Sequence, residues 1–215
     1  MERGAVILCG GQSTRMGRDK ATLPFGPGEV MLQRVVRIVS EVVEPSRIVV
    51  VAAEGQELPA LPRELTVARD QRPERGPLEG LAAGLSAITG RADIVYATSC
   101  DVPLLVPAFI KRLFDLISGS SQTDICNLKS EIEIVVPRDG KFHHPLAAVY
   151  RTSVLPAIES LLAADRLRPV FLFEKCRALE VAVDELRDVD PELHSLMNCN
   201  RPEDYEASLK LAGLA

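Results

Sequence analysis

The stretch Ala5-Val-Ile-Leu-Cys-Gly-Gly-Gln-Ser-Thr-Arg-Met-Gly-Arg-Asp-Lys20 joins a short apolar run to a glycine-rich polar loop. The apolar run, Ala5 to Leu8, predicts a strand that is buried on both faces of a sheet. The adjacent glycines that follow can adopt positive φ and let a ligand approach the main chain closely. Consecutive N–H groups in such a turn form an anion-binding concavity, to which Arg15 and Lys20 add two cations. The stretch therefore predicts a binding site for a triphosphate.

The spacing of these glycines excludes two common phosphate-binding motifs. The sequence contains no G-x-G-x-x-G, and no G-x-x-x-x-G-K-[ST] fits the loop. The alternative interpretation of the loop alone is a strand-to-helix turn that is basic without binding a phosphate.

Composition and charge narrow the class of protein. The chain has 215 residues, of which 47% are hydrophobic and 4% aromatic, with no Trp, so the core is expected to consist of small aliphatic side chains in a parallel α/β fold. A net charge of −5 argues against general binding of nucleic acids or acidic membranes. The five cysteines include no C-x-x-C pair, which argues against a zinc site or a disulfide framework. We expect a reduced cytoplasmic protein without a secretion signal or a membrane span.

A second glycine-containing loop begins at Asp70. Pro77 is typical of the first turn of a helix, which is predicted to run to about residue 89. Gly76, Gly80 and Gly84 recur at four-residue spacing and leave one face of that helix without side chains. This bare face fits either the approach of a ligand or close packing of the helix on a strand.

A carboxylate follows the fourth predicted strand, residues 93–100, in the sequence Cys100-Asp101-Val102-Pro103. Open α/β sheets bind their ligands at the carboxyl ends of parallel strands, and Mg²⁺ commonly uses one or two carboxylates together with substrate phosphates. Asp101 is therefore predicted to bind Mg²⁺. The alternative is that Asp101 caps the helix that begins beyond Pro103.

The second half of the chain departs from the parallel pattern. Arg138-Asp-Gly-Lys141 is a hairpin turn signal, and residues 142–150 are predicted to form the returning strand, an antiparallel addition to the sheet. His143 and His144 would point to opposite faces of that strand, so they are poor joint metal ligands. Near the C-terminus, Asn200 precedes Pro202 and two acidic residues, which predicts that it caps a helix; capping does not explain Asn198.

Five motifs occur in order along nearly the whole chain: L-x-G-G-x-S-x-R-M-G-x-D-K, G-P-L-x-G-L, C-D-x-P, H-P and N-x-N. Together they resemble those of the nucleotidyltransferases related to molybdenum cofactor guanylyltransferase, the MobA family. The resemblance implies a three-layer, Rossmann-like α/β fold whose mostly parallel sheet carries an antiparallel hairpin. It also implies one domain over residues 1–215, with a nucleotide-binding part at about 1–120 and an acceptor-binding part at about 121–215.

The family's activity is the transfer of GMP from GTP to the terminal phosphate of molybdopterin, with release of pyrophosphate. The resemblance implies Mg²⁺ as cofactor, bound by Asp101, and catalytic roles for Arg15, Lys20 and Asp101. The implied nucleotide-binding residues are Leu8, Cys9, Gly10, Gly11, Ser13, Lys20, Asp70, Gly76, Pro77 and Asp101. The implied acceptor-binding residues are His144, Pro145, Asn198 and Asn200. Asp70 would lie on the nucleoside side, where its carboxylate could contact the guanine edge, the ribose or a metal-bound water.

The sequence departs from the family pattern at three places: Cys9 replaces the usual Ala, Arg201 replaces a Thr, and residues 51–54 lack an Asn that many relatives carry. Two other functions stay open. One is a related transferase that uses CTP or another acceptor, such as a sugar phosphate; the other is a nucleotide-binding module without catalysis. The expected partners are GTP, molybdopterin and, transiently, proteins that handle the cofactor, with no nucleic acid or membrane. We expect a monomer or a weak oligomer.

Overall fold

The computed structural model describes residues 1–9, 19–70, 72, 75–119 and 132–215. The predicted site residues Gly10, Gly11, Ser13 and Arg15 lie outside these ranges. The strands are β1 (Arg3–Leu8), β2 (Ile48–Ala53), β3 (Thr66–Asp70), β4 (Ile94–Ser99), β5 (Ile134–Asp139), β6 (Phe142–His143), β7 (Ala147–Arg151) and β8 (Ala178–Ala182). The helices are α1 (Met31–Ser40), α2 (Pro77–Ile88), α3 (Pro107–Ser118), α4 (Leu155–Ala163), α5 (Val170–Lys175) and α6 (Pro202–Leu211).

These strands form one mixed sheet. Its first half has the order β3-β2-β1-β4, and all of these neighbours are parallel. Strand β7 then pairs antiparallel with β4, and β5 pairs antiparallel with β7 and β6 and parallel with β8. The predicted fold class, a Rossmann-like α/β sheet with an antiparallel hairpin addition, is confirmed.

Helices cover both faces of the sheet, as the side chains of β1 show. Ala5 and Ile7 lie in the apolar cluster that contains residues of α1 and α3. Val6 and Leu8 lie in the opposite cluster, which contains residues of α2, α4 and α5. All four side chains are buried because successive residues of a strand point to opposite faces. The prediction that this run is buried on both faces is confirmed.

The bare face of α2 packs on β1. A Cβ added at Gly84 would lie 2.4 Å from Cγ1 of Val6, and one added at Gly80 would lie 3.2 Å from Cδ2 of Leu8. These two glycines therefore let the helix pack close to the strand. Of the two explanations offered for the bare face, close packing is the one that the structure shows for Gly80 and Gly84. Gly76 differs from them: it precedes α2 with a φ of 77°, a conformation that favours glycine.

The C-terminal helix is joined to the segment that follows the first loop. Leu23, Phe25, Met31 and Cys199 form a third buried cluster, against which Tyr205 of α6 packs. The hydroxyl of Tyr205 also donates a hydrogen bond to the carbonyl of Pro24. This contact brings the segment that precedes α6 beside Lys20.

None of the helices in the described part of the chain is both long and apolar enough to cross a bilayer.

The returning strand of the hairpin is interrupted. The sequence predicts one strand over residues 142–150, whereas the structure has β6 and β7 separated by a turn at residues 144–146. Pro145 has no N–H with which to continue the strand pairing. Its carbonyl instead accepts a hydrogen bond from the hydroxyl of Tyr150, at 2.8 Å.

The packing of α2 on β1 predicts different effects of alanine at its two glycines. Gly84→Ala should lower the free energy of unfolding by about 1–3 kcal/mol, because the stiff side chain of Val6 cannot move away from the new methyl group. At Gly80 the contact falls on the flexible end of Leu8, and the gain of about 1 kcal/mol in helix propensity should offset it. Chemical denaturation of both variants measures the difference. Adding Val6→Ala should restore part of the stability lost in Gly84→Ala, and equal stability of the two single variants would contradict this packing.

Candidate functional site

The candidate site lies at the edge of the sheet where the parallel strands end. Asp70 ends β3, Cys9 follows β1, and Asp101 lies two residues after β4. Backbone pairing continues past the strand ends, since Cys9 N–H donates to Val51 O at 2.7 Å and Cys100 N–H donates to Leu8 O at 3.0 Å. Asp101 is therefore placed by a well-ordered strand end, at the position where open α/β sheets bind ligands.

The carboxylate of Asp101 is held from several directions. Its Oδ2 lies 2.7 Å from Nζ of Lys20. Its Oδ1 accepts hydrogen bonds from the hydroxyl of Ser99, at 2.5 Å, and from Nδ2 of Asn198, at 3.4 Å. The helix-capping alternative for Asp101 is wrong, because α3 begins after Val106 and has no side-chain cap at that position.

Asn200 contacts Lys20 rather than capping a helix. Its Oδ1 accepts a second hydrogen bond from Nζ of Lys20, at 2.9 Å. Helix α6 begins after Arg201, and the carboxylate of Asp204 accepts the N–H groups of Asn200 and Arg201 at 3.0 and 2.8 Å. The capping prediction for Asn200 is therefore wrong, since the N-cap residue of α6 is Arg201 and not Asn200. Its side chain is left free to bind Lys20.

The structure thus brings four predicted site residues into one cluster: Lys20, Asp101, Asn198 and Asn200. The side chains of Lys20 and Asp101 are only 16% and 11% exposed, so water screens their attraction less than it would at an open surface. Cys199, between the two asparagines, donates its N–H to the carbonyl of Asp101 at 2.8 Å. The asparagines expected on the acceptor side therefore contact the two charged residues expected on the phosphate side.

Buried hydrogen bonds of Asp190 and Ser195 hold this C-terminal segment in place. Asp190 is 2% exposed, and its carboxylate accepts the N–H groups of His194 and Ser195, at 3.0 and 2.8 Å. The hydroxyl of Ser195 accepts the N–H of Val106, which precedes α3. The sequence analysis predicted neither these hydrogen bonds nor the contact of Ser99 with Asp101. Ser99 could have been identified from the sequence, because it lies two residues before Asp101 and side chains at that spacing point to the same side of an extended chain.

Asp70 lies at the same edge, on the far side of β2 and β1. The residue is 6% exposed, and its carboxylate Oδ1 accepts the N–H of Arg72 at 2.8 Å. Arg72 in turn pairs with Glu79 of α2 at 2.7 Å. These contacts join Arg72 both to the end of β3 and to α2. Among the described residues, no direct contact joins Asp70 to the cluster around Asp101.

His144 and Pro145 lie in the turn before β7. Because Ala147 pairs with Thr98 in antiparallel register, this turn lies at the edge where Asp101 follows β4. Burial lowers the pKa of His144, so its imidazole is neutral at pH 7 and can act as a hydrogen-bonding group rather than as a cation. His143 is occupied elsewhere, since its Nε2 lies 2.9 Å from the carboxylate of Glu180.

The cysteines at the strand ends act as small buried side chains. Cys9 and Cys100 follow neighbouring strands, and both are less than 10% exposed, at 7% and 4%. A hydrogen bond with the thiol of Cys100, together with burial, raises the pKa of Cys9 well above its usual value. Cys9 is therefore a neutral thiol at neutral pH, so the departure from Ala at this position adds no charge.

The donor set at Asp101 fits a hard divalent cation that also binds a substrate. Carboxylate and amide oxygens, supplied by Asp101 and Asn200, are the ligand type that Mg²⁺ prefers, and Mg²⁺ usually completes its shell with water and phosphate oxygens. Within the described residues, no group of three or more His, Cys, Asp or Glu side chains is arranged to hold a metal. Asp101 is thus the carboxylate in this cluster that a phosphate-bound cation could share.

Comparison with known proteins assigns the chain to a family. A family model described as the MobA-like NTP transferase domain matches residues 5–180. The chain is 36% identical over 207 residues to a probable molybdenum cofactor guanylyltransferase of Mycobacterium bovis, covering 95% of this chain and 92% of that protein. It is 36% identical over 210 residues to a protein of the same description from Mycobacterium avium, covering 96% and 95%.

A solved structure shows the same fold. The molybdopterin-guanine dinucleotide biosynthesis protein A of Archaeoglobus fulgidus superposes with a TM-score of 0.73 at 19% identity, covering 99% of this chain and all of that one. The family model spans the first loop, Lys20 and Asp101, and the relatives match along almost the full length. The chain belongs to the MobA-like NTP transferase family and is a nucleotidyltransferase.

Proposed function

We propose that the protein transfers GMP from GTP to the terminal phosphate of molybdopterin and releases pyrophosphate. The observation that carries this proposal is the cluster in which Lys20, Asp101, Asn198 and Asn200 meet at the carboxyl edge of the sheet. This cluster adjoins the loop whose sequence carries the family signature. The names of the mycobacterial relatives support guanine as the base and the molybdenum cofactor as the acceptor.

The proposed reaction needs positioning and charge neutralisation rather than a protein nucleophile. An oxygen of the acceptor phosphate forms a bond to the α-phosphorus of GTP, while the bond from that phosphorus to the bridging oxygen of the β-phosphate breaks. The acceptor phosphate is already ionised at neutral pH, so no strong general base is required. Negative charge accumulates on the departing pyrophosphate, where an ammonium such as that of Lys20 lowers the barrier most.

The chain's residues divide this work by position. Lys20, Arg15 and the amides of Gly10 and Gly11 would neutralise the triphosphate, with Leu8, Cys9 and Ser13 lining the same loop. Asp70, Gly76 and Pro77 would hold the nucleoside. Asn200 keeps Lys20 in place and Asn198 keeps Asp101 in place, in addition to their proposed contact with the acceptor beside His144 and Pro145. Residues of about 1–120 would thus bind nucleotide and those of about 121–215 the acceptor.

The proposed cofactor is Mg²⁺, held by Asp101. When bound, it would neutralise phosphate oxygens and align the α-phosphorus with the acceptor. Ser99 and Asn198 donate to Oδ1 of Asp101 and fix the direction of its carboxylate. Lys20, which contacts Oδ2, can turn toward the triphosphate because its side chain is long and flexible.

One observation keeps a second candidate open. The residues that end β2, Ala52 and Ala53, carry no amide side chain that could read a base. Transfer of CMP from CTP by the same mechanism is therefore the alternative activity. We also propose that the protein works in the cytoplasm as a monomer or weak oligomer, with transient contacts to proteins that handle the cofactor.

Release of pyrophosphate tests the proposed function. The protein is supplied with molybdopterin, Mg²⁺ and one of GTP, CTP or ATP, beside the same mixtures with EDTA. We expect release with GTP, abolished by EDTA. Release with CTP instead would overturn the choice of base and keep the mechanism, whereas no release with any nucleotide would leave a nucleotide-binding module without catalysis.

Loss of Lys20 should separate catalysis from folding. In Lys20→Met we expect kcat/KM for GTP to fall by about 100-fold or more, because an ammonium that neutralises charge in the transition state is removed. The variant should still unfold cooperatively, since Ser99 and Asn198 continue to donate to Asp101. Lys111→Met, at an exposed lysine of α3, is the matched control. Equal turnover of the two variants would contradict the role of Lys20.

A further inference from the structure

The turn after β2 carries a glutamine whose side chain reaches the first loop. Nε2 of Gln56 donates to the carbonyl of Cys9 at 3.3 Å and to Oδ2 of Asp19 at 2.8 Å. Its Oε1 accepts the N–H of Ala53 at 3.0 Å. Cys9 and Asp19 are the described residues on either side of residues 10–18. One amide group therefore binds both ends of the loop that carries the family signature.

Asp19 links the side chain of Gln56 to the backbone of Lys20. Its Oδ1 accepts the N–H of Ala21 at 2.9 Å and caps the short 3₁₀ turn Lys20–Thr22, while its Oδ2 is held by Gln56. The backbone of Lys20 lies between these two fixed points. The direction in which the ammonium of Lys20 leaves the chain thus depends on the Asp19–Gln56 hydrogen bond.

The turn that bears Gln56 is itself fastened to the sheet. Nη1 of Arg69, in β3, donates to the carbonyls of Ala53 and Gln56 at 3.0 and 2.8 Å. The amide of Gln56 is consequently a rigid group and not a mobile surface side chain. Its two N–H donors and its acceptor are all occupied, so it is not free to read a nucleotide base.

We propose that Gln56 is a positioning residue of the nucleotidyl transfer site, which fixes the spacing between the two ends of the signature loop and, through Asp19, the placement of Lys20. Gln56 does not touch substrate. Fixing the ends of the loop before the triphosphate arrives removes part of the conformational entropy that binding would otherwise cost. This inference rests on the proposed function for its kinetic consequences, whereas its structural part concerns the loop alone.

The structure supplies a matched control. Gln33, in α1, accepts the N–H of the residue three positions earlier, Val30, and donates to the carbonyl of Ala60 at 2.8 Å. Gln56 makes the same backbone contact to Ala53, so Gln56→Ala and Gln33→Ala remove equivalent local hydrogen bonds. Only Gln56→Ala also removes the contacts to Cys9 and Asp19.

The first readout is limited trypsin digestion of the protein without ligands, followed by mass spectrometry of cleavage after Arg15 and Arg18. We expect Gln56→Ala to be cleaved there about tenfold faster than the wild type, and Gln33→Ala to be cleaved at the wild-type rate. Equal cleavage of Gln56→Ala and the wild type would overturn the proposal. This readout does not require turnover, so it stands even if no nucleotide proves to be a substrate.

The second readout is KM for GTP in variants that reverse the donor and acceptor of the hydrogen bond between positions 56 and 19. Gln56→Glu places a carboxylate against that of Asp19, and we expect KM for GTP to rise about tenfold or more, with a smaller change in kcat. Adding Asp19→Asn lets the amide at position 19 donate to the new carboxylate and keeps an oxygen for Ala21 N–H. The double variant should recover most of the lost affinity. Failure of this exchange to rescue KM, with both proteins folded, would leave Gln56 with a merely local role.

Discussion

The contact between the carboxylate of Asp101 and the ammonium of Lys20 is the interaction on which the site depends. Each partner reaches it by a separate route: Asp101 through the end of β4, and Lys20 through a turn that Asp19 caps. The segment before α6 then closes over both, because Asn198 binds Asp101 and Asn200 binds Lys20. Residues far apart in sequence, from the first loop to the last helix, are needed to place two charges 2.7 Å apart.

Stability does not explain why such a pair is kept. Desolvation of two charges offsets most of the attraction between them, so an ion pair as largely buried as this one adds little to the free energy of unfolding. In the proposed function the pair serves phosphate binding, because the ammonium of Lys20 would neutralise the triphosphate and Asp101 would hold the cation that the phosphates share.

The sequence predicted the features that follow from local pattern. The alternation of β1 between two cores and the hairpin at Arg138–Lys141 were both foreseen, because periodicity and turn chemistry act over a few residues. Apart from the shared site of Lys20 and Asp101, which the resemblance implied, contacts between distant residues were not foreseen. Asn200 was predicted to cap a helix because nothing in the local sequence shows that α6 begins one residue later, after Arg201, or that Lys20 lies beside Asn200. Gln56 carries no signal at all, since its partners Cys9 and Asp19 are brought to it only by the sheet.

Binding of Mn²⁺ in place of Mg²⁺, followed by electron paramagnetic resonance with and without GTP, tests the role of Asp101 most directly. The account predicts that GTP strengthens Mn²⁺ binding to the wild type and that Asp101→Asn weakens this ternary binding by about tenfold or more. Asp115→Asn, at a carboxylate of α3 that pairs only with Arg3 among the described residues, should bind as the wild type does. Equal affinity of Asp101→Asn and the wild type in the presence of GTP would contradict the assignment of Asp101 as the metal-binding centre of the site.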